Sequence, residues 1–86
     1  MYKLILSKKA AGFLDKTAKS DKKLFAQFIS ALEEIKRDPF IGKNLTGNLK
    51  GFWSYRIRNY RILYEIEKKR LFVFIEKIAH RKESYQ

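Results

Sequence analysis

The sequence predicts an α+β domain in which an N-terminal strand and two helices precede a three-strand antiparallel meander, with both helices packed on one sheet face. Apolar residues recur every three or four positions up to Pro39, which is typical of helices. After Trp53 they alternate with polar residues, which is typical of half-buried strands. The 86 residues are enough for one domain, expected to span residues 1–86.

The first half is predicted to hold one strand and two helices. Residues 2–6 are rich in β-favouring side chains. Ser7 can cap a helix that begins at the next residue, and Ser20 or Asp21 can cap a second one. The second helix has the strongest pattern, because its apolar residues share three- and four-residue spacing: Leu24, Phe25, Phe28, Ile29, Leu32 and Ile35. Pro39 ends it, because the residue before a proline is kept out of the helical conformation.

The second half is predicted to be a loop followed by the meander. Residues 40–51 contain most of the glycines and are expected to form the loop. Strands are predicted at residues 53–58, 60–66 and 71–78. The last of these is apolar on both faces for most of its length, which predicts a position between two neighbouring strands.

The charge of the chain indicates an anionic partner. Twenty Lys and Arg against nine Asp and Glu give a net charge of +11, an excess that favours binding to polyanions. Five of the six arginines lie in the second half. Arginine stays charged and binds phosphate through two hydrogen bonds, so we expect a phosphate-binding surface there. A basic surface without any chemistry is the other interpretation.

Several classes of site are not expected. With no cysteine and one histidine, a zinc cluster of ordinary composition is excluded. The acidic residues lack the grouping of a two-metal nuclease, and no phosphate-binding or dinucleotide-binding glycine motif occurs. We therefore expect neither a metal nor a cofactor. The apolar stretch near the N-terminus is too short for a signal or a membrane span, which predicts a cytoplasmic protein that does not contact membranes.

RNA can be cut without a metal, because its 2′-hydroxyl can attack the adjacent phosphate. The catalyst must then help to remove one proton, neutralise the phosphate and protonate the leaving oxygen. The side chains that could do this are Arg61, Arg81, His80 and Tyr85. DNA has no 2′-hydroxyl, so this set of groups predicts RNA as the substrate.

A second group of cations is expected to hold the RNA backbone. Arg56 and Arg58 stand two residues apart on one predicted strand, so both should lie on the sheet face turned away from the helices. Arg61, on the neighbouring strand, could join them there. Lys50, just before this strand, is a further candidate for RNA binding.

Two segments resemble the signature motifs of the RelE/ParE toxin superfamily. Residues 45–66 read LTGNLKGFWSYRIRNYRILYEI, which resembles the leucine-x-glycine, tyrosine-arginine and tyrosine-arginine-isoleucine-x-tyrosine core of that family. Residues 80–85, HRKESY, resemble its closing motif. The opening strand, the paired helices and the loop with proline and glycine match the family layout, so the resemblance covers nearly the whole chain.

The resemblance implies the toxin of a type II toxin–antitoxin system, bound to a cognate antitoxin in a hetero-oligomer. RelE-like members are endoribonucleases that cut mRNA in the ribosomal A site, so their partners are the ribosome, with its RNA, and mRNA. The closing histidine-arginine and tyrosine favour this branch. ParE-like members inhibit DNA gyrase, and this is the alternative. A nucleic-acid-binding module without toxicity is the third.

The sequence departs from the best-studied RelE pattern at three positions. That pattern has lysines where Arg56 and Arg58 stand, and a lysine where His80 stands. Because an arginine cannot readily lose its proton, neither arginine is a candidate general base. The resemblance therefore leaves Tyr85 or His80 as the base, and histidine is suited to proton transfer near neutral pH.

Overall fold

The computed structural model describes residues 2–80, so Arg81 and Tyr85 lie outside the described residues. These residues form five strands and two α-helices, with short 3₁₀ helices at Pro39–Ile41 and Gly47–Leu49. The elements in chain order are β1 (Lys3–Leu6), α1 (Lys8–Ser20), α2 (Lys22–Arg37), β2 (Lys43–Asn44), β3 (Trp53–Ile57), β4 (Tyr60–Glu67) and β5 (Phe72–His80). Within residues 2–80, no helix is long and apolar enough to cross a membrane.

The helix boundaries follow local capping chemistry. Ser7 caps α1, because its hydroxyl accepts a hydrogen bond of 3.0 Å from the backbone amide of Ala10. Asp21, rather than Ser20, caps α2 by accepting from the Leu24 amide at 3.0 Å. The helix ends at Arg37, two residues before Pro39, as predicted.

The sheet is larger than the predicted meander. Its strand order is β1-β5-β4-β3-β2, with β1 parallel to β5 and the other neighbours antiparallel. The meander of β3, β4 and β5 is confirmed, and β5 lies between two strands. The expectation of an all-loop segment over residues 40–51 was wrong, because Lys43–Asn44 pairs with β3 as a fifth strand. Two residues are too few to show a strand period, and only the pairing identifies them.

Both helices pack on the same face of the sheet, as predicted. The buried side chains of this core are Ala10, Leu14, Phe28, Ala31, Leu32, Ile35, Ile62, Tyr64, Val73, Ile75 and Ile78. Residues of α1 and α2 thus meet alternate residues of β4 and β5. The opposite sheet face is called the far face below.

A β-bulge interrupts the pairing of β4 with β5. Leu63 pairs with Lys77, but the next residue, Tyr64, pairs with Ile75, so Glu76 is an extra residue on β5. An extra residue shifts the two-residue alternation, and the side chains of β5 beyond the bulge therefore change face. Lys77 consequently lies on the far face.

Ser7 ties this bulge to the start of α1. Its hydroxyl donates to the Glu76 carbonyl at 2.5 Å, and its backbone amide donates to the Ile75 carbonyl at 3.0 Å. One side chain therefore caps the helix and fastens the extra residue of the strand.

Candidate functional site

Two arginines face each other across the far face. Arg56 on β3 pairs with Arg61 on β4, and Arg61 pairs in turn with Ala79 on β5. Directly opposed residues of antiparallel strands share a face, and like charges in such a pair repel each other. The pairing therefore concentrates positive charge at this point of the far face.

The next row of the far face adds two lysines. Lys43 pairs with Ser54, Ser54 with Leu63, and Leu63 with Lys77. These residues form one row across the sheet, next to the row that contains the arginine pair. Together the far-face cations are Lys43, Arg56, Arg61 and Lys77. Residues diagonal to each other in adjacent strands lie about 7–8 Å apart, so the long side chains of Arg61 and Lys77 reach the same region.

The two arginines differ in exposure. Arg56 is exposed, whereas Arg61 is half-buried and its Nε atom is inaccessible to solvent. A guanidinium group on a buried stem has fewer conformations to lose when it binds a ligand. Arg61 is therefore the better-positioned cation of the pair.

Arg58 does not share the far face with Arg56, contrary to the prediction. Strand β3 ends at Ile57, and Arg58 lies in the two-residue turn with a φ of +54°. Hairpin turns of this length need positive φ values, so the turn takes Arg58 out of the strand alternation. Its Nη1 donates to Oε1 of Gln27 on α2 at 3.1 Å. A role of Arg58 in RNA binding remains a prediction.

His80 lies on the helix-covered face, opposite to Arg61. It pairs with Tyr60, and the two rings meet edge to face with 5.1 Å between their centroids. Tyr60 also contacts Phe13 and Phe28 of the two helices. The bulge explains this placement, because it reverses the facing of β5 beyond Glu76. The catalytic role predicted for His80 is not supported by a position near Arg61 and stays a prediction.

Lys50 lies in a different region from the arginine pair. It lines a groove of about 630 Å³ together with Trp53, Ile66 and Lys68, at the end of the sheet where β3 begins. Phe40 contacts two of these lining residues: its ring meets Trp53 edge to face with 5.4 Å between centroids, and the Lys68 ammonium lies 5.8 Å from its centroid. The cations predicted to bind RNA are thus divided between the far face, the hairpin turn and this groove.

The last tyrosine of the tyrosine-arginine-isoleucine-x-tyrosine motif has a structural role. The hydroxyl of Tyr64 is buried and donates to the Pro39 carbonyl at 2.7 Å. A Cβ atom at Gly42 would lie 2.2 Å from this hydroxyl and 2.9 Å from the Ser54 carbonyl oxygen, so only glycine fits there. Burial raises the pKa of Tyr64 well above its ordinary value, although a hydrogen bond with the Gly42 backbone opposes the shift.

A smaller pocket of about 210 Å³ lies between α2 and β3. The hydroxyl of Tyr55 donates to Oε1 of Glu34 there at 3.2 Å. Burial, and then the negative charge of Glu34, raise the pKa of Tyr55. The Tyr55–Glu34 hydrogen bond therefore joins α2 to β3.

Within residues 2–80, no three His, Asp or Glu side chains are grouped as metal ligands would be.

Lys43 and Lys77 were not predicted as site residues. Lys43 lies in a strand of two residues, which gives no readable pattern. Lys77 did leave a signal, because Glu76 and Lys77 are adjacent charged residues in an otherwise apolar strand. Strict alternation would bury one of the two charges, so the pair indicates a bulge.

The family model for the ParE toxin of type II toxin–antitoxin systems matches residues 4–85. The chain belongs to this toxin family. The fold agrees, because the RelBE2 toxin–antitoxin complex of Mycobacterium tuberculosis contains a chain with 29% identity and a TM-score of 0.79, matched over 93% of this chain and 98% of that one.

Two further structures share the fold of this ParE-family toxin. A chain of the YoeB–YefM complex from Staphylococcus aureus has 20% identity and a TM-score of 0.77, matched over 93% of this chain and 97% of that one. A chain of the intact E. coli RelBE complex has 20% identity and a TM-score of 0.77, over 93% and 96%. A comparison with curated proteins gave no match.

Proposed function

We propose that this toxin is a ribosome-dependent, metal-independent endoribonuclease that cuts mRNA in the A site and so stops translation. The observation that carries the proposal is the cross-strand pair of Arg56 and Arg61 on the far face. Two opposed guanidinium groups are suited to a phosphate, because each can donate two hydrogen bonds to its oxygens. The same activity would place the protein in the cytoplasm, where ribosomes are.

In the proposed reaction the 2′-oxygen of the RNA attacks the adjacent phosphorus. The P–O5′ bond breaks, which leaves a 2′,3′-cyclic phosphate on one fragment and a 5′-hydroxyl on the other. Arg61 and Arg56 stabilise the negative charge that grows on the phosphate oxygens. Arg81, just past the described residues, is proposed to add to this charge stabilisation.

Two proton transfers complete the step. The 2′-hydroxyl proton passes to a general base, and the O5′ leaving group takes up a proton from water. Tyr85 is the proposed base, and His80 is the other candidate. The placement of His80 on the helix side, against Tyr60, favours Tyr85.

A cognate antitoxin is the proposed partner that silences the toxin. The similar chains come from complexes named as toxin–antitoxin complexes, including RelBE2 at 29% identity. The charge of +11 suits an acidic antitoxin segment that folds on the toxin. The proposed resting state is therefore a toxin–antitoxin hetero-oligomer.

Inhibition of DNA gyrase is the second candidate function. It is favoured by the description of the family model, which names ParE toxins and matches residues 4–85. The far-face cations would then contact protein or DNA rather than a scissile RNA phosphate. The two functions can be distinguished by their products, because only the endoribonuclease produces cleaved mRNA.

The deciding experiment is in vitro translation with the purified toxin, followed by primer extension to map mRNA 5′ ends, with and without EDTA. Cuts inside the A-site codon that need ribosomes and survive EDTA are expected. Arg61→Ala should remove them, whereas Lys69→Ala, which deletes a charge in the β4–β5 turn, should not. Intact mRNA with continuing translation would overturn the proposal, and a supercoiling assay with gyrase would follow.

A further inference from the structure

The bulge at Glu76 decides which charged group of β5 reaches the far face. Before it, Val73 and Ile75 face the helices, so unbroken alternation would turn Lys77 toward the core as well. The extra residue instead pairs Lys77 with Leu63 on the far face. Bulges of this kind are common beside functional sites, where they redirect a side chain.

The surroundings of Lys77 leave its charge available. It is half-buried, and within residues 2–80 no hydrogen bond or ion pair holds its ammonium group. Glu65, one row further along β4, makes no ion pair with it. Across the strand its partner is Leu63, an apolar residue that is itself buried. Contacts within residues 2–80 therefore give no reason for a lysine at this position.

Lys77 is also close to the arginine pair. It is the diagonal neighbour of Arg61, since Arg61 pairs with Ala79 two residues further along β5. Such neighbours lie about 7–8 Å apart, while Arg56 and Arg61 directly oppose each other at about 5 Å. The two arginines can thus bind one phosphate, while Lys77 lies to one side of it, where the next phosphate of an RNA strand could lie.

We propose that Lys77 binds the RNA phosphate next to the one held by Arg56 and Arg61, and that the β-bulge is the feature that places it there. The inference rests on the proposed function and adds a backbone contact to it. Because Lys77 would contact the RNA backbone, it should bind the substrate without recognising its bases. It should stabilise the bound substrate and the transition state to the same extent.

The test measures binding separately from cleavage. Fluorescence anisotropy of a labelled 12-nucleotide single-stranded RNA is recorded for the full-length toxin over a series of KCl concentrations. The variants are Lys77→Ala, Lys77→Arg and the matched control Lys69→Ala, each checked by circular dichroism for an unchanged fold. Lys69 carries the same charge but lies in the β4–β5 turn.

Lys77→Ala should weaken RNA binding about five- to tenfold and lower the slope of log K against log[KCl] by roughly 0.7, the contribution of one phosphate contact on a single strand. A DNA strand of the same sequence should lose the same factor. Lys77→Arg should restore most of the affinity, and Lys69→Ala should match the wild type. In cleavage assays, Lys77→Ala should raise KM with little change in kcat.

Three outcomes would overturn the inference: no RNA binding by the wild type, an equal effect of Lys77→Ala and Lys69→Ala, or a loss in kcat with KM unchanged. Failure of the proposed function looks different. In that case the wild type leaves mRNA intact in the translation assay, while the binding measurement still reports whether Lys77 contacts the RNA backbone.

Discussion

Replacing Tyr64 by phenylalanine removes one buried hydroxyl and should lower the free energy of unfolding by about 2 kcal/mol. The hydroxyl donates to the Pro39 carbonyl at 2.7 Å, and the Tyr64 hydroxyl also has a hydrogen bond with the Gly42 backbone. A typical buried hydrogen bond contributes about 0.5–1.5 kcal/mol, and a buried carbonyl left without a donor costs about 1–3 kcal/mol. In a domain of this size the change lowers Tm by roughly 8–16 °C.

The raised pKa of Tyr64 gives this prediction a pH dependence. Burial holds the pKa of the folded state above the ordinary value of 10.0. The stabilisation by the neutral phenol is therefore complete below pH 10 and is lost as the pH rises toward the folded-state pKa. The difference in the free energy of unfolding between the wild type and Tyr64→Phe should therefore become smaller as the pH rises above 10.

The assay is urea and thermal unfolding followed by circular dichroism, at pH 7 and at steps above pH 10. Tyr55→Phe is the matched control, because its hydroxyl bonds an exposed Glu34 at 3.2 Å. That control should lose no more than about 0.5 kcal/mol at pH 7. A Tyr64→Phe variant as stable as Tyr55→Phe at pH 7 would refute the reasoning.

Four other changes test the same structure. Gly42→Ala should destabilise by about 1–3 kcal/mol in unfolding assays, and less in a Tyr64→Phe background, because the nearest clashing atom is then gone. Ser7→Ala should cost about 1–2 kcal/mol, because it removes a helix cap and the tie to the bulge; a change below 0.3 kcal/mol would contradict this role. In the primer-extension assay Arg61→Ala should reduce cleavage at least about a hundredfold. His80→Phe, which keeps the ring contact with Tyr60, should reduce it less than about tenfold, and the reverse order would give His80 the larger role.

The elements that the sequence predicted well are those fixed by local chemistry. Ser7, Asp21 and Pro39 set helix ends through hydrogen bonds and backbone geometry within four residues, so their signals can be read directly. The meander was readable as well, because strand alternation marks β3 and β4. The parallel pairing of β1 with β5 was not, because it joins residues almost 70 positions apart, such as Lys3 and Phe72.

For the candidate site, the sequence by itself determined the kinds of groups available: many cations, five of six arginines in the second half, and a motif that places Arg56 and Arg61 on neighbouring strands. Only the tertiary structure decided which of them meet. The turn directs Arg58 to Gln27, and the bulge places Lys77 on the far face and His80 on the helix-covered face. The physical reason is that a local pattern gives the period of a strand, whereas its register depends on the partner strand, and one extra residue reverses every side chain beyond it.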